Sequence, residues 1–333
     1  MKAFFIDRYG SKSRLQFGEM PEPELREDDV LVQVHAAGVN PLDSKIRNGE
    51  FKVLLPYRLP LILGNEVAGV VVRVGSRVRR FNPGDEVYAR PDKDRIGTFA
   101  EFISMNEDAV AIKPKELTME EAASIPLVGL TAWQVLIERA NLKKGQKVLI
   151  HAGSGGVGTF AIQLAKHVGA VVATTTSTAN LDWVKALGAD IVIDYSKDDF
   201  ATILRDYDVV LNSLGGEVLE KSLQVLKPGG KLISISGPPD PSFAQDMGSS
   251  WIFRQVMHLL SYRIRKKAKR HRVSYSFLFM RASGDQLREI ARLIDSGIIR
   301  PVVDRVFPFE SINEAMAYVE KGRAKGKVVV KVR

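Results

Sequence analysis

The chain of 333 residues contains no cysteine. That excludes disulfides and any zinc site built on thiolates, and it fits a reducing compartment, so a cytoplasmic location is expected. No uncharged apolar stretch approaches the ~18 residues that a membrane span needs. The opening residues Met1-Lys-Ala-Phe-Phe-Ile-Asp-Arg8 read as a strand, not as the apolar core of a signal peptide. Internal repeats, low-complexity linkers and disordered tails are missing too, and the five histidines form no catalytic pattern. What remains is an ordinary globular composition, 45% hydrophobic and 26% charged, long enough for two domains.

The formal charge is +9, and its excess is local. Arg263-Ile-Arg-Lys-Lys-Ala-Lys-Arg-His-Arg272 holds seven Lys/Arg and no acid; removing those seven from +9 leaves the rest of the chain near +2. Such a segment can be the solvated face of a connecting helix, or a contact for nucleic acid or an acidic membrane surface. No aromatic side chain is interleaved within it, as base stacking requires. The solvated face is therefore the preferred reading, and nucleic acid is not an expected partner.

The most informative stretch is Lys147-Val-Leu-Ile-His-Ala-Gly-Ser-Gly-Gly-Val-Gly158. A short apolar run reads as a buried strand, Gly153-x-Gly155-x-x-Gly158 follows, and Phe160, Ile162, Leu164, Ala165 and Val168 continue with helical spacing. In a strand–turn–helix context this is a dinucleotide fingerprint. Gly153 is assigned the tight turn, Gly155 the close approach of backbone to a pyrophosphate, and Gly158 the close packing of helix on strand. Gly156 and Val157 complete the set at the helix N-terminus, where free N–H groups and the macrodipole favour an anion. His151, just before the loop, is read as a packed strand-end residue in preference to a base.

The first ~120 residues carry alternating and β-branched runs separated by turns, as in Val30–His35, Glu66–Gly75 and Asn82-Pro-Gly-Asp85. From about Ala122 helices and strands alternate, with strands expected at Lys147–Ile150, Val171–Thr175, Ile191–Asp194, Asp208–Leu211 and Lys231–Ile235. That pattern implies an α/β fold with a doubly wound parallel sheet. Later elements are a helix at Trp251–Leu260, a strand at Val273–Met280, helices at Gly284–Asp295 and from Ser311 to Gly322, and a closing strand at Lys327–Val332.

In dinucleotide sites that take the unphosphorylated ribose, an acid lies about 20 residues after the first glycine. Here the second strand runs Ala170-Val-Val-Ala-Thr-Thr-Thr-Ser-Thr-Ala-Asn180, with no acid until Asp182. Hydroxyls and an amide with no repelling carboxylate predict NADPH, with Ser177, Thr178 and Asn180 at the 2′-phosphate. Thr178 or Asn180 serving only as a helix cap is the competing reading.

Essentially the whole chain resembles the zinc-independent branch of the medium-chain dehydrogenases/reductases, in particular its quinone and enone oxidoreductases. The carrying motifs are Ala37-Gly-Val-Asn-Pro-Leu-Asp-Ser-Lys45, Leu63-Gly-Asn-Glu-Val-Ala-Gly69, Val78-Arg-Arg-Phe-Asn-Pro-Gly-Asp-Glu-Val87, Ala123-Ser-Ile-Pro-Leu-Val-Gly-Leu-Thr-Ala-Trp133, the glycine loop, Leu226-Lys-Pro-Gly-Gly230 and Gly322-Arg-Ala-Lys-Gly-Lys327. The resemblance implies a GroES-like β-rich catalytic domain, 1–122 with 281–333, and a Rossmann NADP-binding domain, 123–280. It also implies a homodimer, joined through edge strands at Val273–Met280. Where zinc alcohol dehydrogenases carry a cysteine ligand and Gly-His-Glu, this chain has Asn40 and Gly64-Asn65-Glu66; no metal is expected.

Without a Lewis acid, substrates that spread charge by conjugation are favoured: quinones and α,β-unsaturated ketones or aldehydes. The alternatives are simple carbonyls, trans-enoyl thioesters, or a crystallin-like structural or RNA-binding protein that merely binds NADPH. Asn40 and Lys45 are the candidate catalytic residues, with a turn start and a solvated helix residue as their competing readings. Asp43 is a candidate helix N-cap, and Tyr57 a candidate for the substrate mouth. The resemblance adds Tyr195 at the 2′-phosphoribose, Ser236 and Gly237 at the nicotinamide, and Phe279 and Lys327 as further cofactor contacts.

Overall fold

A computed structural model describes residues 1–333 apart from Lys12 and Ser249. The chain forms two compact units, Met1–Leu130 with Arg281–Arg333, and Thr131–Met280.

The first unit opens with β1 (Lys2–Ile6), β2 (Gln16–Glu19), β3 (Asp29–Val39), α1 (Pro41–Asn48), β4 (Leu61–Ile62), β5 (Val67–Val74), β6 (Glu86–Ala89), β7 (Phe102–Asn106) and β8 (Val110–Ile112). Helix α2 (Met119–Ala123) follows, and α3 (Pro126–Trp133) carries the chain into the second unit. There the elements are β9 (Lys147–Ile150), α4 (Gly156–Val168), β10 (Val171–Thr176), α5 (Leu181–Ala186), β11 (Ile191–Asp194), α6 (Phe200–Ile203), β12 (Tyr207–Asn212), α7 (Gly216–Lys221) and β13 (Leu226–Ser234). After α8 (Pro241–Asp246), α9 (Trp251–Leu260), α10 (Tyr262–Arg270) and β14 (Ser274–Phe277), the chain returns through α11 (Gly284–Asp295), β15 (Val303–Pro308), α12 (Ile312–Glu320) and β16 (Lys327–Lys331).

The first unit is built around β3, which is long and bends. Its register slips at Leu31/Val32 and Val34/Ala36 where it pairs with β5. It also pairs with β7 and β16. Such bulges bend a strand and add twist. The resulting seven-stranded sheet runs β15-β16-β3-β5-β6-β8, with β7 paired to β3. Val30, Val32, Val34, Val67, Val71, Val328 and Val330 from its strands share one core with Phe4, Leu63 and Phe99. The alternation read in Val30–His35 is that inward-facing set.

The second unit is a six-stranded sheet in the order β11-β10-β9-β12-β13-β14, parallel at every pair. All six residues of β12 are buried, as expected of a strand covered on both faces. The order reverses beside β9, the position where parallel sheets open a crevice at their carboxyl ends.

β10 and β16 differ from expectation by one residue at their ends, and three other strands differ as follows. β13 begins at Leu226, so Lys227-Pro-Gly-Gly230 lies inside it. β12 runs a residue further at each end. β14 stops at Phe277, short of Met280, because its partner β13 ends at Ser234 and nothing remains to pair with. The helix expected from Ser311 becomes a short 3₁₀ turn at Phe309–Ser311 followed by α12.

Candidate functional site

The glycine loop joins β9 to α4, with Gly155 as N-cap in extended geometry (φ −84, ψ 169). Each glycine answers a different constraint. The left-handed residue is Ala152 (φ 53), so the tight turn expected of Gly153 is made one residue earlier. Gly153 is needed for packing instead: a Cβ there would lie 2.2 Å from Thr174 Oγ1. At Gly158 it would lie 2.3 Å from the Ala152 carbonyl oxygen, which is the close helix–strand approach expected of that position. At Gly155 it would meet only the Ala152 oxygen, at 3.4 Å. The protein itself therefore does not require glycine at 155. Half-buried Gly156 and Val157 form the first turn of α4, whose leading N–H groups have no partner within the helix.

Along the carboxyl ends of the neighbouring strands lies a row of polar atoms without partners. Thr176 Oγ1, Asn212 Nδ2 and Ser236 Oγ are buried and make no hydrogen bond. Thr176 ends β10, Asn212 ends β12, and Ser236 lies two residues beyond β13. Buried polar groups are normally paired, and these three unpaired atoms all lie at the carboxyl ends of strands of one parallel sheet, the end at which such sheets bind ligands. Ser234 Oγ supports the row: it donates to Asn212 Oδ1 at 3.0 Å and accepts from the Gly237 N–H at 2.8 Å. Gly237 packs so tightly that a Cβ would come 2.6 Å from the Tyr275 hydroxyl. Phe279, half-buried, tilts against Phe243 at 6.0 Å. Thr176 and Asn212 were missed from sequence. The available signal was that each is a polar residue closing an otherwise apolar or threonine-rich strand.

Just beyond β10, Ser177 and Asn180 are joined by a hydrogen bond, Thr178 lies between them in sequence, and Tyr195, following β11, donates its N–H to the Thr176 carbonyl; one acid comes with them. Asp194 ends β11 and pairs in register with Thr176. Its Oδ2 accepts from Thr178 Oγ1 at 2.5 Å, and Ser196 donates to its Oδ1 through both N–H and hydroxyl. These hydrogen bonds, Ser196 first and then Thr178, hold its carboxyl at about 2. The expectation of a patch without a carboxylate is corrected here. β10 itself carries no carboxylate; the acid arrives from the adjacent strand. Thr178, expected to donate to a phosphate, spends its proton on Asp194.

Asn180 sits at the N-cap of α5 without a side-chain cap; it donates to Ser177 Oγ and accepts from the Trp183 indole. Tyr195 is 64% exposed. Lys197, not anticipated, places its largely exposed ammonium 3.7 Å from Asp194 and supplies the cation that the strand itself lacks.

In the first unit a buried polar cluster surrounds Asn40. Asn40 is the N-cap of α1 and Pro41 its first residue; Asp43, at the third position, accepts from the Asn40 N–H at 2.7 Å. Asp43 is thus not the N-cap but its partner. The Asn40 amide donates to Glu66 Oε1 at 2.8 Å and accepts from Lys327 at 2.5 Å. The Lys327 ammonium also meets Glu66 Oε1 at 2.6 Å and the Val39 carbonyl at 3.2 Å. With three acceptors and 5% exposure, it has no proton left over. Lys327, expected to contact cofactor, neutralises the fully buried Glu66 instead. The second Glu66 oxygen accepts from the Leu127 N–H at 2.8 Å.

Asp43 also accepts from Asn65 Nδ2 at 2.7 Å, yet burial raises its carboxyl to about 6. Asn65 Oδ1 is left without a partner. Lys45 is half-buried on α1, and its ammonium, among the described residues, makes neither an ion pair nor a hydrogen bond. Arg90, overlooked in the sequence, is 1% exposed with Nε unpartnered, and burial lowers its pKa. Tyr57 turns its hydroxyl to the Lys93 carbonyl. Among the described residues no three His, Cys, Asp or Glu side chains converge as a metal site would require.

His151 is a packed residue, as read. It is 2% exposed, lies between Thr175 Oγ1 at 3.2 Å and Ser222 Oγ at 2.9 Å, and is pushed down to about 4 by burial.

Two family profiles match the chain. One, described as the alcohol dehydrogenase GroES-like domain, covers residues 26–115, and one described as zinc-binding dehydrogenase covers 187–330. The chain is 37% identical over 341 residues to a 2-methylene-furan-3-one reductase of Solanum lycopersicum, spanning 99% of this chain and 79% of that protein. It is equally similar, 37% over 341 residues with the same coverages, to an NADPH-dependent alkenal/one oxidoreductase, chloroplastic, of Arabidopsis thaliana. Among solved structures, the quinone oxidoreductase from Coxiella burnetii superposes with a TM-score of 0.86 at 33% identity, covering 100% of this chain and 99% of that one.

Proposed function

The chain belongs to the quinone and enone oxidoreductase group of the medium-chain dehydrogenases/reductases, and from that premise we propose that it reduces α,β-unsaturated ketones and aldehydes or quinones with NADPH. One observation carries the reading. Thr176 Oγ1, Asn212 Nδ2 and Ser236 Oγ are buried without partners, around a loop in which Gly155 answers to no protein contact closer than 3.4 Å. Their sheet has the strand order of dinucleotide-binding folds.

The residues fit the cofactor in chemistry. Gly153, Gly155, Gly156, Val157 and Gly158 would hold the pyrophosphate on the N–H groups opening α4. Ser177, Asn180, Tyr195 and Lys197 would take the 2′-phosphate end, Thr178 contributing backbone only. Ser236, Gly237 and Phe279 would border the nicotinamide, with Asn212 next to them on β12, while Thr176, adjacent to Ser177 and in register with Asp194, would face the ribose end. When bound, NADPH supplies the hydride.

The chain's own task is to orient the acceptor and to stabilise the charge that grows on its oxygen. Conjugation spreads that charge, so one ammonium and one amide suffice. Lys45, with no internal partner, offers the ammonium. Asn40 offers its second amide proton, and Lys327 and Glu66 hold its plane fixed.

Two further readings go with this function. β14 is the outer strand of its sheet, and it supports a homodimer formed by edge pairing. The absence of cysteine supports a reducing compartment, the cytoplasm. The decisive assay follows NADPH absorbance with 1,4-quinones, short-chain enones, saturated aldehydes and trans-enoyl thioesters. Turnover of the first two classes is expected. Turnover confined to the last two, or NADPH binding without turnover of any, overturns the reading.

A further inference from the structure

Helix α9 is apolar yet exposed. Of its ten residues only Met257 is buried, while Trp251 is 71%, Ile252 60%, Leu259 77% and Leu260 54% exposed. Half-exposed Val256 adds to the same patch. An apolar surface of this kind on a folded protein ordinarily meets something. The helix contains no acid, and Ser261 alone separates it from α10.

Helix α10 carries cations in excess of its partners. Glu220 pairs with Lys267 at 2.5 Å and Arg263 at 3.3 Å. Lys266, Lys269 and Arg270, with Arg272 just beyond the helix, have no acidic partner among the described residues. The two helices adjoin physically: Arg265 lies 3.0 Å from the His258 ring of α9, and the Lys266 ammonium sits 5.6 Å over the exposed Tyr262 ring.

We propose that α9 and α10 together form a peripheral docking surface for a bilayer containing anionic lipid. The exposed Trp251, Ile252, Leu259 and Leu260 would enter the interface, and the unpaired cations of α10 would meet the headgroups. An apolar helix flanked by Lys/Arg is the combination that lies in a membrane surface without crossing it. No helix among the described residues is long and apolar enough to cross. A second copy of this chain is the poorer occupant. Two-fold contact through α9 would bring two acid-poor, cation-rich segments towards each other, and like charges repel.

The test is co-sedimentation of the full chain with phosphatidylcholine vesicles, with and without about 30% phosphatidylglycerol, at low salt and in 0.5 M salt. Binding is expected to the anionic vesicles at low salt and to weaken in high salt. K266Q/K269Q/R270Q should lower it by about fivefold per charge removed. W251S/L259S should lower it about tenfold or more at unchanged charge. All five positions are exposed, so thermal melting of both variants should match the parent. The proposal fails if neither vesicle is bound, or if W251S/L259S binds as the parent does. It fails equally if W251S/L259S halves the sedimenting mass while anionic vesicles never retain the parent, because a second copy then covers the patch.

Discussion

Replacing Gly155 by alanine separates a glycine kept for a ligand from glycines kept for the fold. The added methyl would touch only the Ala152 oxygen, at 3.4 Å, and the backbone there (φ −84, ψ 169) suits any residue. Alanine caps a helix less well than glycine, a loss of several tenths of a kcal/mol. A less flexible unfolded chain offsets it by about 0.4–1 kcal/mol. The net change should fall within about 1 kcal/mol, a few degrees at most in Tm.

Gly153→Ala and Gly158→Ala should behave differently. The first drives a methyl to 2.2 Å from the Thr174 hydroxyl, which is buried and holds the Ile150 carbonyl at 2.6 Å, so it cannot turn away. The second drives one to 2.3 Å from backbone. Overpacking of this kind costs about 1–3 kcal/mol or more.

For NADPH the ranking inverts. A methyl at 155 blocks a charge-assisted contact worth about 1.5–3 kcal/mol, so affinity should fall by about tenfold to a hundredfold in a protein of nearly parental stability. Differential scanning fluorimetry and titration calorimetry on the three variants decide it. G155A binding NADPH like the parent, or melting as low as G158A, would refute the reasoning.

Three other outcomes are expected. Lys327→Met strands the fully buried Glu66 and should cost about 3–5 kcal/mol in urea unfolding, with E66Q/K327M recovering much of it; a changed KM for NADPH at parental stability would restore the cofactor role instead. Two buried groups bend the pH profile in opposite directions. Asp43, raised to about 6, stabilises its unit at low pH, and that stability is lost as pH rises from about 4 through 6. His151, lowered to about 4, stabilises above pH ~6.5, and that stability is lost as pH falls towards 4. Each effect is about 3 kcal/mol, and Asp43→Asn and His151→Gln should flatten the two separately in melts from pH 4 to 8. Finally, Lys197→Ala and Tyr195→Ala should each raise KM for NADPH about tenfold while leaving NADH nearly unaffected; equal loss for both cofactors would remove these residues from the phosphate end.

Local pattern sufficed for much of this protein. The bounds of α9 and α11, the alternation of strands and helices, and the glycine loop were legible because neighbours along the chain specify them. A strand of period two, a helix of period 3.6 and a glycine turn are short-range structures. The unmet polar atoms were not legible. That Thr176, Asn212 and Ser236 all lie at strand ends along one edge of the sheet depends on strand order, and residues 36 positions apart along the chain come to flank the same loop only when β10 and β12 both pair with β9.

Charge pairing was the property decided by tertiary structure alone. The acid missed beside Thr178 stands on the next strand. The lysine expected at the cofactor is drawn instead to Glu66, 261 positions earlier in the chain, because β16 folds back against β3. Desolvation makes that choice: an ammonium and a carboxylate taken out of water must find each other. Where the chain first removes them from water is a property of the packed fold, while the kinds of residue that can carry hydride-acceptor chemistry were already written in its order.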